Sequence, residues 1–131
     1  MCDAVTHPPG MMGAMTSNPI RHITVDAHEP LKVAQFWVHV TGYRIDDESD
    51  NEEALLESPF EQSPGLLFIA VPEGKTVKNR VHLDVRVGRE QIEAEVARLV
   101  ALGARELHRG SQGPSTWVTL ADPEGNELCI S

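Results

Sequence analysis

The strongest constraint on this chain is a repeat. His22-Ile23-Thr24-Val25-Asp26 and His82-Leu83-Asp84-Val85-Arg86 share the order His, aliphatic, polar, Val, polar, sixty residues apart. Recurrence at such a period means that one supersecondary unit occurs twice, so the search for a fold becomes the search for half of one. Each segment alternates as a half-buried strand does, with His and the residues two and four further on along one face and the aliphatics on the other. A helical pattern follows each. In the first, Pro30 suits the opening turn, and Leu31, Ala34, Trp37 and Val38 form a stripe with Phe36 and Val40 beside it. In the second, Ile92, Val96, Leu99 and Val100 keep the i, i+4, i+7, i+8 spacing of one buried face. Gly42 and Gly103 then supply the left-handed residue that closes a last helical turn.

Three more strand segments follow each glycine, at residues 43–47, 54–58 and 66–71 in the first half and 105–109, 116–121 and 127–131 in the second. Turn chemistry separates them at Ser63-Pro64-Gly65, at Gly110-Ser111-Gln112-Gly113-Pro114 and at Asp122-Pro123-Glu124-Gly125-Asn126. The expected fold class is therefore α+β: two tandem βαβββ modules, about 20–72 and 78–131, joined at Pro72-Glu73-Gly74-Lys75. A sheet with one helix on one face leaves the other face bare. Two such sheets are expected to curve together as a mostly antiparallel eight-stranded surface around a cleft.

With 131 residues, 40% of them apolar, the chain is expected to form a single domain over residues 20–131. Residues 1–19 lack Lys and Arg and any apolar run fit for a signal peptide, and are expected to be a disordered leader in which Met11, Met12 and Met15 are alternative translation starts. The net charge of −9 disfavours nucleic acid and anionic lipid as partners. The longest apolar run, residues 66–71, falls far short of the roughly 20 residues needed to span a bilayer. Cys2 and Cys129 make a poor disulfide framework and are read as free thiols of a cytoplasmic protein. Six carboxylates between Asp46 and Glu53 read as a solvated hairpin tip.

Strand parity predicts what lines the cleft. If Ile23, Val25, Leu83, Val85 and Val87 pack under the helices, the opposite face presents His22, Thr24 and Asp26 from one half and His82, Asp84 and Arg86 from the other. Trp117, Thr119 and Ala121 share a face of the seventh strand, and Glu127, Cys129 and Ser131 a face of the eighth. A polar, titratable cleft in a small domain is a ligand-site expectation.

These residues resemble the vicinal oxygen chelate superfamily of glyoxalase I, bleomycin-resistance proteins and extradiol dioxygenases, most closely its glyoxalase-like group. The likeness runs from about Ile20 to Ser131 and is carried by the His22 to Asp26 strand, Phe36-Trp37, Gly42-Tyr43, Lys78-Asn79-Arg80-Val81-His82-Leu83-Asp84 and Asp122-Pro123-Glu124-Gly125-Asn126-Glu127-Leu128-Cys129. The resemblance implies one divalent metal held by the first and last strands of each half. The positions concerned are His22, a residue near Ile69, His82 and Cys129. Imidazoles suit zinc, nickel, manganese or iron; an aliphatic side chain at the second position cannot ligate, and Cys129 stands where a carboxylate is usual.

Two functions follow from the resemblance. One is a metal-dependent lyase or isomerase acting on a carbonyl or enediol, with the metal on His22, His82 and Cys129 or Glu127, and with Glu127 or water moving the proton. The other is a metal-free binding protein of the bleomycin-resistance kind, holding an aromatic or cationic compound with Thr24, Asp26, Asp84, Arg86, Trp117 and Thr119 as lining residues. The resemblance also implies a homodimer. Plainer readings stand beside these: hydrogen-bonded strand-end histidines, a buried apolar Cys129, a solvent-facing Glu127, an ion pair of Arg86 with neighbouring aspartates, and Trp117 as sheet packing.

Overall fold

The computed structural model describes residues 17–131. Cys2, the three later methionines and most of the expected leader lie outside the described residues. The first module runs β1 (His22–Ala27), α1 (Pro30–Thr41), β2 (Arg44–Ile45), β3 (Glu53–Glu57), β4 (Gly65–Ala70). The second runs β5 (Leu83–Val85), a 3-10 turn at Arg89–Gln91, α2 (Ile92–Ala101), β6 (Arg105–Gln112), β7 (Ser115–Ala121), β8 (Glu127–Ile130). This is βαβββ twice, as the repeat predicts. The strands form two four-stranded sheets ordered β1-β4-β3-β2 and β5-β8-β7-β6. In each, the first strand pairs parallel to the last and the remaining pairs are antiparallel.

Helix α1 begins with Pro30 at its first turn and ends at Gly42, whose φ of 73° is the left-handed conformation that glycine adopts at little cost. Its buried face is Val33, Ala34, Phe36, Trp37 and Val40, while Leu31 and Val38 are only half-buried. The stripe is thus turned from its expected position, because the helix lies mainly over β3 and β4. In α2, Ile92, Val96 and Leu99 are buried as expected, but Val100 is 44% exposed, so that helix meets its sheet along a narrower line.

One apolar cluster spans both modules, with Val33, Leu56 and Phe68 from the first and Leu99, Leu120, Leu128 and Ile130 from the second. Full burial of a Leu, Ile or Phe side chain contributes roughly 1.5–3 kcal/mol. Ile23, Val25, Leu83, Val85 and Val87 pack against this cluster, as their parity requires.

Polar groups then lock the modules in place. Trp37 Nε1 donates to Asp122 Oδ2 at 2.8 Å in a buried contact. Asp122 Oδ1 accepts the backbone N–H groups of Glu124 and Asn126, which shapes the β7–β8 turn. Burial pushes the Asp122 carboxyl above the usual aspartate range, against the pull of these donors.

The β6–β7 connection differs from expectation. Gly110, Ser111 and Gln112 continue β6, and the turn is only Gly113-Pro114, with φ of 60° at Gly113. A glycine at positive φ followed by proline gives a two-residue hairpin turn whose twist matches the strands. Gly110 answers instead to Trp117, its cross-strand partner: a Cβ there would overlap the indole ring.

Candidate functional site

The second sheet's register carries one row of polar side chains across its open face. Asp84 of β5 lies opposite Cys129 of β8, Cys129 opposite Thr119 of β7, and Thr119 opposite His108 of β6. The adjacent row, Leu83, Leu128 and Leu120, points the other way into the core. Period-2 alternation in register therefore separates an apolar layer from a polar one.

His82 precedes β5 on the polar side. Its Nδ1 is 3.1 Å from Asp84 Oδ1. Candidate ligand atoms of His82, Asp84 and Cys129 all lie within 4.8 Å of one another. Thr119 Oγ1 is 3.2 Å from Cys129 Sγ, and Cys129 is a buried free thiol. One imidazole, one carboxylate and one thiol thus lie close enough together to reach one ion. That donor set fits a borderline-soft divalent ion such as zinc, which accepts nitrogen, sulfur and carboxylate oxygen.

The cluster opens into a cavity of about 570 Å³ on the same face. Trp117, His108, Arg89, Lys78 and Ile92 complete the wall that matters for recognition. Every residue lining this cavity comes from the second half of the chain.

The residues of the first half are placed elsewhere. Thr24 and Asp26 line a separate cavity of about 510 Å³, together with Trp37, Leu83, Asp122 and the linking segment. His22 is half-buried over Gly65, its parallel partner, and lies on neither cavity wall. Ile69 pairs with Asp26 and offers no donor. Arg86, beyond the end of β5, lines a groove between the helices with Val40 and Arg98 and does not join Asp84.

Glu127 is 7% exposed and borders both cavities. Its Oε2 accepts the backbone N–H of Asn79 at 3.0 Å, and Asn79 Oδ1 accepts the Glu127 N–H in return. Lys78 and Lys75 stand 3.5 and 3.8 Å from the carboxylate. The Asn79 N–H, aided by the Lys78 and Lys75 charges, holds this carboxyl below the ordinary glutamate range.

Arg89, His108 and Lys78 are site residues that sequence reasoning missed. His108 carries no readable signal because a register shift between Glu106 and His108 breaks the alternation along β6. Arg89 sits in a 3-10 turn that no periodicity announces. Lys78 lies in the segment that carries the resemblance, which implies no role for it.

A family model described as a glyoxalase-like domain matches residues 22–131. Among solved structures, a glyoxalase/bleomycin resistance protein/dioxygenase family enzyme from Burkholderia phytofirmans aligns at a TM-score of 0.72 and 16% identity, covering 86% of this chain and 97% of that one. A mutant fosfomycin resistance protein FosX from Listeria monocytogenes, complexed with Mn(II) and 1S,2S-dihydroxypropylphosphonic acid, aligns at 0.71 and 13%, covering 88% and 90%. A possible glyoxalase from Bacillus cereus aligns at 0.68 and 15%, covering 87% and 98%. No curated protein matches the chain. Among the described residues no helix is long and apolar enough to cross a membrane.

Proposed function

The chain belongs to the family of glyoxalase-like domains, and on that premise we propose that it binds a small molecule on the open face of its second sheet, beside a divalent metal held by His82, Asp84 and Cys129. The observation that carries this reading is the convergence of those three side chains within 4.8 Å at the cavity wall. Bound there, the metal would supply Lewis acidity to a carbonyl or enediol oxygen, the chemistry of a lyase or isomerase. Thr119 fixes the Cys129 sulfur through its hydroxyl, and Trp117 supplies a flat wall for the substrate body. Glu127 serves in this account as the anchor of the linking segment, because two lysines and a backbone N–H already engage its carboxylate.

Residues 20–131 form the binding unit, with modules about 20–72 and 78–131. A homodimer is the assembly we favour. One chain supplies the cavity wall from its second half alone and leaves His22 on the open face of its first sheet, so a second copy can bring that face to the cavity.

Thermal-shift titration of chelator-stripped protein with Zn²⁺, Ni²⁺, Mn²⁺ and Fe²⁺ tests the metal. Zinc is expected to raise Tm, and His82→Ala to abolish the rise. No response to any of the four would leave the metal-free binding protein as the reading, since the 3.1 Å His82–Asp84 contact also closes without an ion. Sedimentation analysis tests the dimer.

A further inference from the structure

In a chain of net charge −9, the cavity beside the His82–Asp84–Cys129 cluster is not acidic. Its two side-chain carboxylates are engaged internally: Asp84 faces His82, and Glu127 is held by Lys75, Lys78 and the Asn79 N–H, while the main-chain oxygen of Ser131 accepts the Val87 and Gly88 N–H groups. What remains on the wall are His108 and Arg89. Among the described residues Arg89 forms no ion pair; its neighbour Glu93 is taken by Arg109. Trp117 lines the same cavity, its indole laid against the Gly110 backbone, where no side chain intervenes. The ring is fixed on one side by its own sheet and half-exposed on the other. A fixed aromatic face and a planar, always-charged fork together match a flat ligand ending in an oxyanion.

We propose that the cavity takes a planar organic anion, its ring stacked on Trp117 and its carboxylate paired with Arg89. This rests on the reading of the cavity as a small-molecule site and fixes the sign of the ligand's charge. It also sets aside the cationic compound that the resemblance to bleomycin-resistance proteins left open. The charge that a ligand meets is the local one, because exposed charges further than about 8–10 Å away are largely screened at physiological salt.

The chain has two tryptophans, and Trp37 is only 3% exposed, so quenching by an added compound reports on Trp117. The probes are 4-nitrobenzoate, 4-nitrobenzyl alcohol and 4-nitrobenzylamine, matched in ring and differing in charge. Titration is done with EDTA present, so that no bound metal supplies the positive charge. The expected order of affinity is benzoate, alcohol, amine, with Arg89→Gln lowering benzoate affinity roughly tenfold or more and leaving the alcohol unchanged. Trp117→Leu should remove binding of all three by calorimetry. Equal or tighter binding of the amine, or benzoate binding unaffected by Arg89→Gln, overturns the proposal but leaves the cavity a binding site. Failure of all three probes to bind overturns the proposal and the small-molecule reading together; zinc titration judges the metal separately.

Discussion

The carboxylate of Glu124, in the turn between β7 and β8, accepts the backbone N–H groups of His28 and Glu29 at 2.9 and 3.0 Å, at the start of α1 in the other module. Helix N-termini leave N–H groups that a nearby side chain ordinarily caps, and Glu29 itself makes no such bond. The second module therefore holds the two residues that lead into the first module's helix, of which Glu29 is the N-cap. At the far end of α1, an Arg98 guanidinium N–H donates to the His39 carbonyl at 2.6 Å. Glu124→Ala is expected to cost about 1 kcal/mol in urea unfolding, and Glu124→Gln less, because one amide oxygen still accepts.

Trp37→Phe keeps an aromatic ring in the core, smaller than the indole, and leaves the buried Asp122 carboxyl without its indole donor. A lost partner at a buried acceptor costs about 1–3 kcal/mol. A single, probe-independent unfolding transition with that loss is expected by fluorescence of Trp117 and by far-ultraviolet circular dichroism.

Gly110→Ala places a methyl in the ring of Trp117. The strain should cost about 1–3 kcal/mol in the native background and little in a Trp117→Ala background, where the ring is gone. A double-mutant cycle measured by chemical unfolding reads that coupling.

Acid should weaken the junction through Glu127. Its folded-state pKa is depressed, so its contribution is fully present above the ordinary glutamate value and is lost as pH falls through the folded value. Glu127→Gln should flatten that part of the stability curve. Asp122 acts in the opposite sense: its carboxyl is raised by burial, so its contribution favours the fold at low pH and is withdrawn as pH rises through the folded value. Unfolding measured across the acid range in Glu127→Gln and in the native protein separates the two.

Cys129→Ser should weaken zinc binding while leaving the cavity in place, since a hydroxyl is a poor ligand beside a thiolate. A hundredfold excess of zinc over its Kd stabilises a folded site by about 2.7 kcal/mol; the serine variant should show a smaller shift at the same zinc concentration. Protection of Cys129 from iodoacetamide by zinc checks the same contact chemically.

The repeat, the helix-closing glycines and the alternation of β1, β5, β7 and β8 made the modules legible, because those signals are local: period and turn chemistry act within a few residues. The grouping of His82, Asp84, Cys129 and Thr119 was also within reach, since parity puts each on the polar side of its strand. His108 was not, because a bulge inverts parity midway along β6. Nor was the separation of His22, Thr24 and Asp26 from the cavity of the second sheet, which depends on how two sheets are set against each other.

The sequence by itself determined two βαβββ units and which face of each strand is polar, because side-chain alternation follows from backbone geometry alone. Only the tertiary structure decided the charge of the cavity and the anchoring of the modules. Those depend on which carboxylates find partners far along the chain: Glu127 with Lys75, Lys78 and Asn79, Glu124 with the start of α1, and Asp122 with Trp37. Composition counts these groups as free negative charge, whereas folding engages each in a specific bond and, among the described residues, leaves Arg89 without an ion pair at the cavity wall.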